Sequence, residues 1–162
     1  PVPIAVADSE LSNGIGIPVR IIIPRINLDA VIKSVGLTVN GAMDAPKIPA
    51  ETGWFSLGVR PGEVGSAVIA GHSGWKNNIP SAFDELNKLR VGDSISVVDD
   101  NGAVTTFIVR KIQIYDPNAD ASDVFSSSDG KAHLNLITCE GVWNKISKSF
   151  SKRLVVFTDK EE

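Results

Sequence analysis

The stretch His133-Leu-Asn-Leu-Ile-Thr-Cys139 reads as a β-strand that ends on a thiol. Successive side chains of a strand point to opposite faces, so Leu134, Leu136 and Thr138 share one face and His133, Asn135, Ile137 and Cys139 the other. The leucines belong to a core, which puts Cys139 on the outer side of the sheet, facing a groove. Cys139 is the only cysteine of the 162 residues. It cannot form an internal disulfide, and a lone Cys with a His elsewhere in the chain is a candidate nucleophile. The chain has two histidines. His133 lies on the Cys139 strand itself, roughly 20 Å away at about 3.3 Å per residue, far outside hydrogen-bond reach. That leaves His72, which closes the strand-like run Ala67-Val-Ile-Ala-Gly-His72.

Downstream, Arg153 opens a second apolar run, Arg153-Leu-Val-Val-Phe157. If the two runs pair as an antiparallel hairpin, Cys139 and Arg153 stand at its mouth, with opposed Cβ atoms about 5 Å apart. A guanidinium there lowers a thiol pKa or hydrogen-bonds a substrate carbonyl as negative charge develops. One thiol, one imidazole and one guanidinium are a minimal set for acyl transfer through a thioester. A plainer reading stands beside each. A free thiol is commonly a small buried hydrophobe, and an arginine next to Lys152 is commonly a solvated surface charge.

Further out, turn chemistry separates short apolar runs at Val19 to Ile23, Ala30 to Val35, Gly53 to Phe55, Ser94 to Val98 and Thr105 to Ile114. Pro24, Asn40-Gly41, Pro61-Gly62 and Asp100-Asn-Gly102 punctuate them. One short helix is expected over Phe83-Asp-Glu-Leu-Asn-Lys-Leu89, where Phe83, Leu86 and Leu89 share a face. Residues 115–132 and 140–152 are expected to be loops. The pattern predicts a mainly β fold of roughly eight strands, a closed or nearly closed barrel, with a sandwich as the alternative. Residues 1–16, broken by Pro1, Pro3, Gly14 and Gly16, are expected to be a flexible N-terminal tether, and residues 17–162 one domain.

Composition excludes other classes. A net charge of −3 gives no electrostatic footprint for nucleic acid. One Cys and two His are too few for a zinc site. The longest apolar stretch, around Val19 to Ile26, is broken by Arg20, Pro24 and Arg25 and is too short to span a bilayer. Because the chain begins at Pro1 rather than Met, a segment that targets or anchors the full protein is expected to be absent from it.

Together these pieces resemble the sortases, cysteine transpeptidases of bacterial surfaces. Ala70-Gly-His72 is similar to the family's histidine strand end, Leu136-Ile-Thr-Cys139 to its Thr-Leu-x-Thr-Cys signature and Arg153-Leu-Val-Val156 to its arginine strand. The resemblance runs from about Arg20 to Phe157. Asn135 stands where the signature has its first Thr. Gly36-Leu37, Asn40-Gly-Ala-Met43 and Pro61-Gly-Glu63 look most like the class E and F type.

The resemblance implies a closed eight-stranded barrel with one or two short helices, the catalytic domain of a sortase. It implies that Cys139 attacks the Thr–Gly carbonyl of a Leu-Pro-x-Thr-Gly-like sorting signal, forming a thioester. His72 protonates the leaving amine, and Arg153, with the backbone N–H of Glu140, holds the oxyanion. Thr138 helps position the substrate. Val124 and Phe125 are candidates for the pocket that reads Leu-Pro, although they could equally anchor their loop. Trp75 and Trp143 could wall the groove or simply pack. The implied partners are surface proteins carrying a C-terminal sorting signal, and an amine from a cell-wall precursor or a pilin lysine. The implied location is the extracellular face of the bacterial membrane.

Asp116, Asp120, Asp123 and Asp129 lie in the long loop that calcium orders in some sortases. They have no EF-hand spacing, so no metal and no cofactor is expected. Two alternatives remain: a cysteine hydrolase on the same barrel, and a non-catalytic surface binding module. An L,D-transpeptidase is disfavoured, because Ile137-Thr138 precede the Cys where that enzyme has a Ser-His-Gly-Cys-like run.

Overall fold

The structure, a computed structural model, describes residues 14–116, 119–144 and 149–162, and the side chains of all of these except 139–144 and 149–151. Among the described residues eight strands form the fold: β1 (Pro18–Ile23), β2 (Leu28–Val35), β3 (Thr52–Phe55), β4 (Gly65–Gly71), β5 (Ser94–Asp99), β6 (Val104–Tyr115), β7 (Ala132–Asn144) and β8 (Ser149–Lys160). They close into a barrel in the order β1-β2-β3-β4-β7-β8-β6-β5, with β5 paired back onto β1. β2 runs parallel to β3 and β4 parallel to β7, while every other neighbouring pair is antiparallel. Closure removes the sheet edges that would otherwise offer unpaired backbone, and the sandwich alternative does not apply.

Two apolar layers hold the barrel. The inner one contains Ile21, Ile23, Ile69, Ile95, Phe107, Leu134, Leu136, Leu154 and Val156. The outer one contains Val68, Tyr115, Val124, Ile137, Val155 and Phe157. Strands β4, β7 and β8 contribute to both layers by alternation. β4 and β8 therefore carry unbroken apolar runs, over residues 67–70 and 154–157, the expected signature of strands covered on both faces, while β7 is interrupted by the buried Asn135 and Thr138. The outer layer is capped by a single-turn helix, Ser122–Phe125, through the fully buried Val124. Burying that valine contributes about 2 kcal/mol.

The helix expected over 83–89 is instead a series of turns with a 3₁₀ segment at Leu86–Lys88. Phe83, Leu86 and Leu89 are buried as the pattern requires. Apolar residues three apart eclipse one another in a 3₁₀ turn, so this spacing suits that geometry as well as an α-helix. The Ser122–Phe125 helix was expected to be loop, because four residues carry too little periodicity to read. The strand carrying Cys139 does not end there: β7 continues to Asn144 and β8 begins at Ser149, across part of the expected 140–152 loop. A shift of register between Glu140 and Trp143 lets the ladder continue past Gly141.

Of the expected tether, residues 1–13 lie outside the described residues. The last three are held to the barrel: the Gly16 N–H donates to Asp99 at 2.9 Å, Arg60 donates to the Ile15 carbonyl at 2.6 Å and Asn101 to the Gly14 carbonyl at 3.4 Å. No helix among the described residues is long and apolar enough to cross a membrane.

Candidate active site

Register brings the three chemical residues together. Parallel β4 and β7 pair Ala70 with Ile137, and two residues further along each chain lie His72 and Cys139. Antiparallel β7 and β8 pair Cys139 with Arg153 directly. Cys139 and Arg153 thus stand on neighbouring strands, about 4.8 Å apart, and His72 follows directly on the end of β4, the strand on the other side of β7. The Cys139 side chain lies outside the described residues. Its backbone has the parity of Ile137, a member of the outer apolar layer.

Beside these residues is a cavity of about 160 Å³. Ala70, His72, Ile137, Thr138 and Arg153 line it. One side is Phe125, packed edge-on to Phe55 with ring centroids 5.6 Å apart. The other side is the segment Met43-Asp-Ala-Pro46.

His72 is held from several directions. Its Nε2 lies 2.6 Å from the Pro46 carbonyl oxygen. Its ring meets Trp75 edge-on at 4.7 Å, and its own carbonyl accepts the Phe83 N–H at 2.9 Å. The loop that follows is clipped by Asp84, which accepts the N–H groups of Gly74 and Ser81 at 2.8 Å each and the Ser81 hydroxyl at 2.5 Å. Burial raises the Asp84 pKa, but the Ser81 and Gly74 hydrogen bonds outweigh it and hold the carboxyl below its ordinary value.

The second loop beside the groove is tied down as well. The Asn135 amide donates to the Val124 carbonyl at 2.7 Å. The Tyr115 hydroxyl donates to both Asp123 oxygens at 3.1 Å. Burial, reinforced by Asp123, pushes the Tyr115 pKa up to about 12. Asp120 accepts the Ser122 N–H, and Asp129 accepts the Lys131 N–H and faces His133 at 2.7 Å. Among the described residues no group of three or more metal-ligating side chains occurs.

Val124 is wholly buried in the outer layer rather than exposed to the cavity, whereas Phe125 is 40% exposed and lines it. Trp75 stands against His72. Thr138 is buried, lines the cavity, and its hydroxyl has no hydrogen-bond partner among the described residues. Glu140 pairs with Lys152 and Trp143 with Phe150 in the ladder, while the side chains of Glu140 and Trp143 lie outside the described residues. His133, excluded as a partner for Cys139, is buried with Nδ1 2.8 Å from Asp159 and Nε2 2.7 Å from Asp129.

The Met43–Pro46 side of the cavity had not been read as site-forming. The available signal was the long connection between Val35 and Thr52. Parallel strands cannot be joined by a tight turn, so such a connection has to cross an end of the barrel.

Against known proteins, the chain matches the Sortase domain family over residues 21–161. No curated protein matches it. Among solved structures it is similar to sortase C-1 from Actinomyces oris, at 26% identity over 90% of this chain and 75% of that one, with a TM-score of 0.70. It is also similar to Streptococcus agalactiae sortase C1 in complex with MTSET, at 25% identity over 89% and 67% of the two chains, with a TM-score of 0.68. Sortase A from Corynebacterium diphtheriae shares the fold at 22% identity over 100% and 70%, with a TM-score of 0.70.

Proposed function

Since the chain belongs to the sortase family of cysteine transpeptidases, we propose that Cys139, His72 and Arg153 carry its reaction. The observation that supports this reading is the row formed by the end of β4 with β7 and β8, beside a cavity that His72 and Arg153 both line.

The Cys139 thiolate attacks the carbonyl carbon between Thr and Gly of a Leu-Pro-x-Thr-Gly-like signal. Negative charge moves onto the carbonyl oxygen, where Arg153 and the Glu140 N–H donate to it. As the intermediate collapses, the C–N bond breaks and His72 gives its proton to the leaving amine. The acyl group now rests on sulfur as a thioester. An incoming amine attacks it, His72 takes the amine's proton, and Cys139 leaves as thiolate. Phe125, Thr138 and the Met43–Pro46 segment border the bound signal, and Trp75 limits the swing of the His72 ring. Glu140 and Trp143 lie on the continuation of β7 beyond Cys139, towards the side from which the amine arrives.

Sortases act at the cell surface on surface proteins and pilins. For this chain we assign a place on the outer face of the membrane, a sorting-signal protein as acyl donor, and a cell-wall precursor or pilin lysine as acceptor.

The test is mass spectrometry of the wild type and Cys139→Ala with a Leu-Pro-x-Thr-Gly peptide library, with and without triglycine. Cleavage at Thr-Gly, an adduct confined to Cys139 and an amine-dependent product are expected. Cleavage indifferent to amine would instead mark a hydrolase. Absence of both cleavage and adduct would sink the catalytic reading in favour of a binding module.

A further inference from the structure

His72 has a partner outside the three-residue row. Its Nε2 lies 2.6 Å from the carbonyl oxygen of Pro46, within the same segment that walls the cavity. A carbonyl oxygen can only accept, so this contact is a hydrogen bond only if Nε2 carries the proton. The neutral imidazole then has one compatible tautomer, in which Nδ1 is the basic nitrogen. We infer that Pro46, through its backbone carbonyl, is a positioning residue that fixes His72 as the Nε2–H tautomer and reserves Nδ1 for proton exchange with the substrate. The inference deepens the proposed reaction and rests on His72 acting there as acid and base.

The proton balance follows. In the charged ring both nitrogens carry hydrogen. Nδ1–H passes its proton to the leaving amine, and the ring becomes neutral while Nε2–H stays on the Pro46 carbonyl. Nδ1 then accepts the proton of the incoming amine. Throughout the cycle the ring keeps one fixed pivot and neither flips nor changes tautomer.

The segment is built to hold that carbonyl in place. The Asp44 N–H donates to the Gly36 carbonyl at 2.8 Å, and the Asp44 carboxylate accepts the Ala45 N–H at 2.8 Å. The Pro46 ring lies over Gly53, where a Cβ would stand 3.3 Å from Pro46 Cδ and 2.9 Å from a Val35 methyl. Behind the segment is a second cavity of about 350 Å³, bordered by Lys33, Val35, Lys47 and Glu51. Pro46 itself is buried, so these contacts help set where its carbonyl stands.

The experiment is ¹⁵N–¹H long-range NMR of the imidazoles in the Cys139→Ala protein, which removes coupling to the thiol. At a pH where His72 is neutral, its resonances should show the Nε2–H tautomer. The measurement is repeated with Lys47 replaced by its α-hydroxy acid, which turns the Pro46–Lys47 amide into an ester and weakens the carbonyl as acceptor. The neutral His72 ring should then lose Nε2–H tautomer to the Nδ1–H form, with His133 unchanged. An Nδ1–H tautomer in the unmodified chain, or an unchanged tautomer ratio in the ester, overturns the inference. Neither readout depends on turnover, so failure of the peptide assay with the tautomer as expected would count against the proposed reaction and not against the contact.

Discussion

Gly71 and Phe83 are in contact so close that no side chain fits between them. A Cβ on Gly71 would stand 2.6 Å from the Phe83 ring. Gly71 is the last residue of β4, and His72 follows it. The ring packs onto bare backbone, and the Phe83 N–H is donated to the His72 carbonyl. The strand end carrying the imidazole is thereby pressed against the inner core.

Gly71→Ala is therefore expected to cost about 1–3 kcal/mol of stability through overpacking, and to lower transpeptidation beyond what lost folding explains. Thermal unfolding beside kcat measured well below the melting temperature checks this. Normal melting together with normal kcat would mean that Phe83 yields without moving the strand.

Arg153 is exposed, so Arg153→Ala should leave the melting temperature close to wild type. Loss of an oxyanion donor should lower kcat by about 10²–10³-fold. Arg153→Lys should recover little, because an ammonium lacks the planar fork of the guanidinium. Full activity in the lysine variant would reduce the role of Arg153 to charge alone.

Asn135 fixes the helix that presents Phe125. Asn135→Asp keeps the shape but replaces the donor facing the Val124 carbonyl with an acceptor. The expected loss is about 1–3 kcal/mol. It should be accompanied by a raised KM for the sorting peptide, with kcat less affected. An unchanged KM would show that the peptide does not depend on this side of the groove.

The buried Asp99 should make stability fall in acid. Burial alone raises its pKa, but hydrogen bonds from the backbone N–H groups of Gly16, Ala103 and Asn101 outweigh that and hold it below its ordinary value of 3.8. A carboxyl lowered in the folded state contributes stability that is present above its unfolded pKa and lost as pH falls through the folded value. Urea midpoints should thus decline below about pH 4. In Asp99→Asn they should be lower at neutral pH and flatter in acid. Parallel pH curves for the two proteins would locate the acid sensitivity elsewhere.

The strands were legible because their chemistry repeats. Leu134 and Leu136 against Ile137 revealed parity, an assumed hairpin set Arg153 opposite Cys139, and His72 was reached by elimination between two histidines. His133 was excluded by distance along its own strand, and the structure gives it a separate place between Asp129 and Asp159. What stayed hidden was everything that depends on which distant segments meet. Pro46 has no signature as a histidine partner, since its contribution is a backbone oxygen that every residue possesses. Val124 and Phe125 are adjacent apolar residues in a loop, and only the packing of a one-turn helix separates the buried one from the exposed one. The continuation of β7 beyond Cys139 was masked by Glu140-Gly141, which resembles a turn until a ladder on the neighbouring strand is seen to absorb it.

Both sides of the groove come from connections between strands that point the same way. Residues 36–51 join the parallel pair β2 and β3. Residues 116–131 join β6 to β7, which share a direction because each is antiparallel to the β8 strand between them. Such connections have to be long and must pass over an end of the sheet, whatever they contain. Cys139 and Arg153 are placed instead by ladder pairing within the barrel. Selectivity and reactivity are thus written in separable parts of the chain. If the proposed groove reads the peptide, exchanging the 116–131 crossover is expected to change which peptide is accepted. The 36–51 crossover cannot be exchanged so freely, because it also carries the oxygen on which the histidine turns.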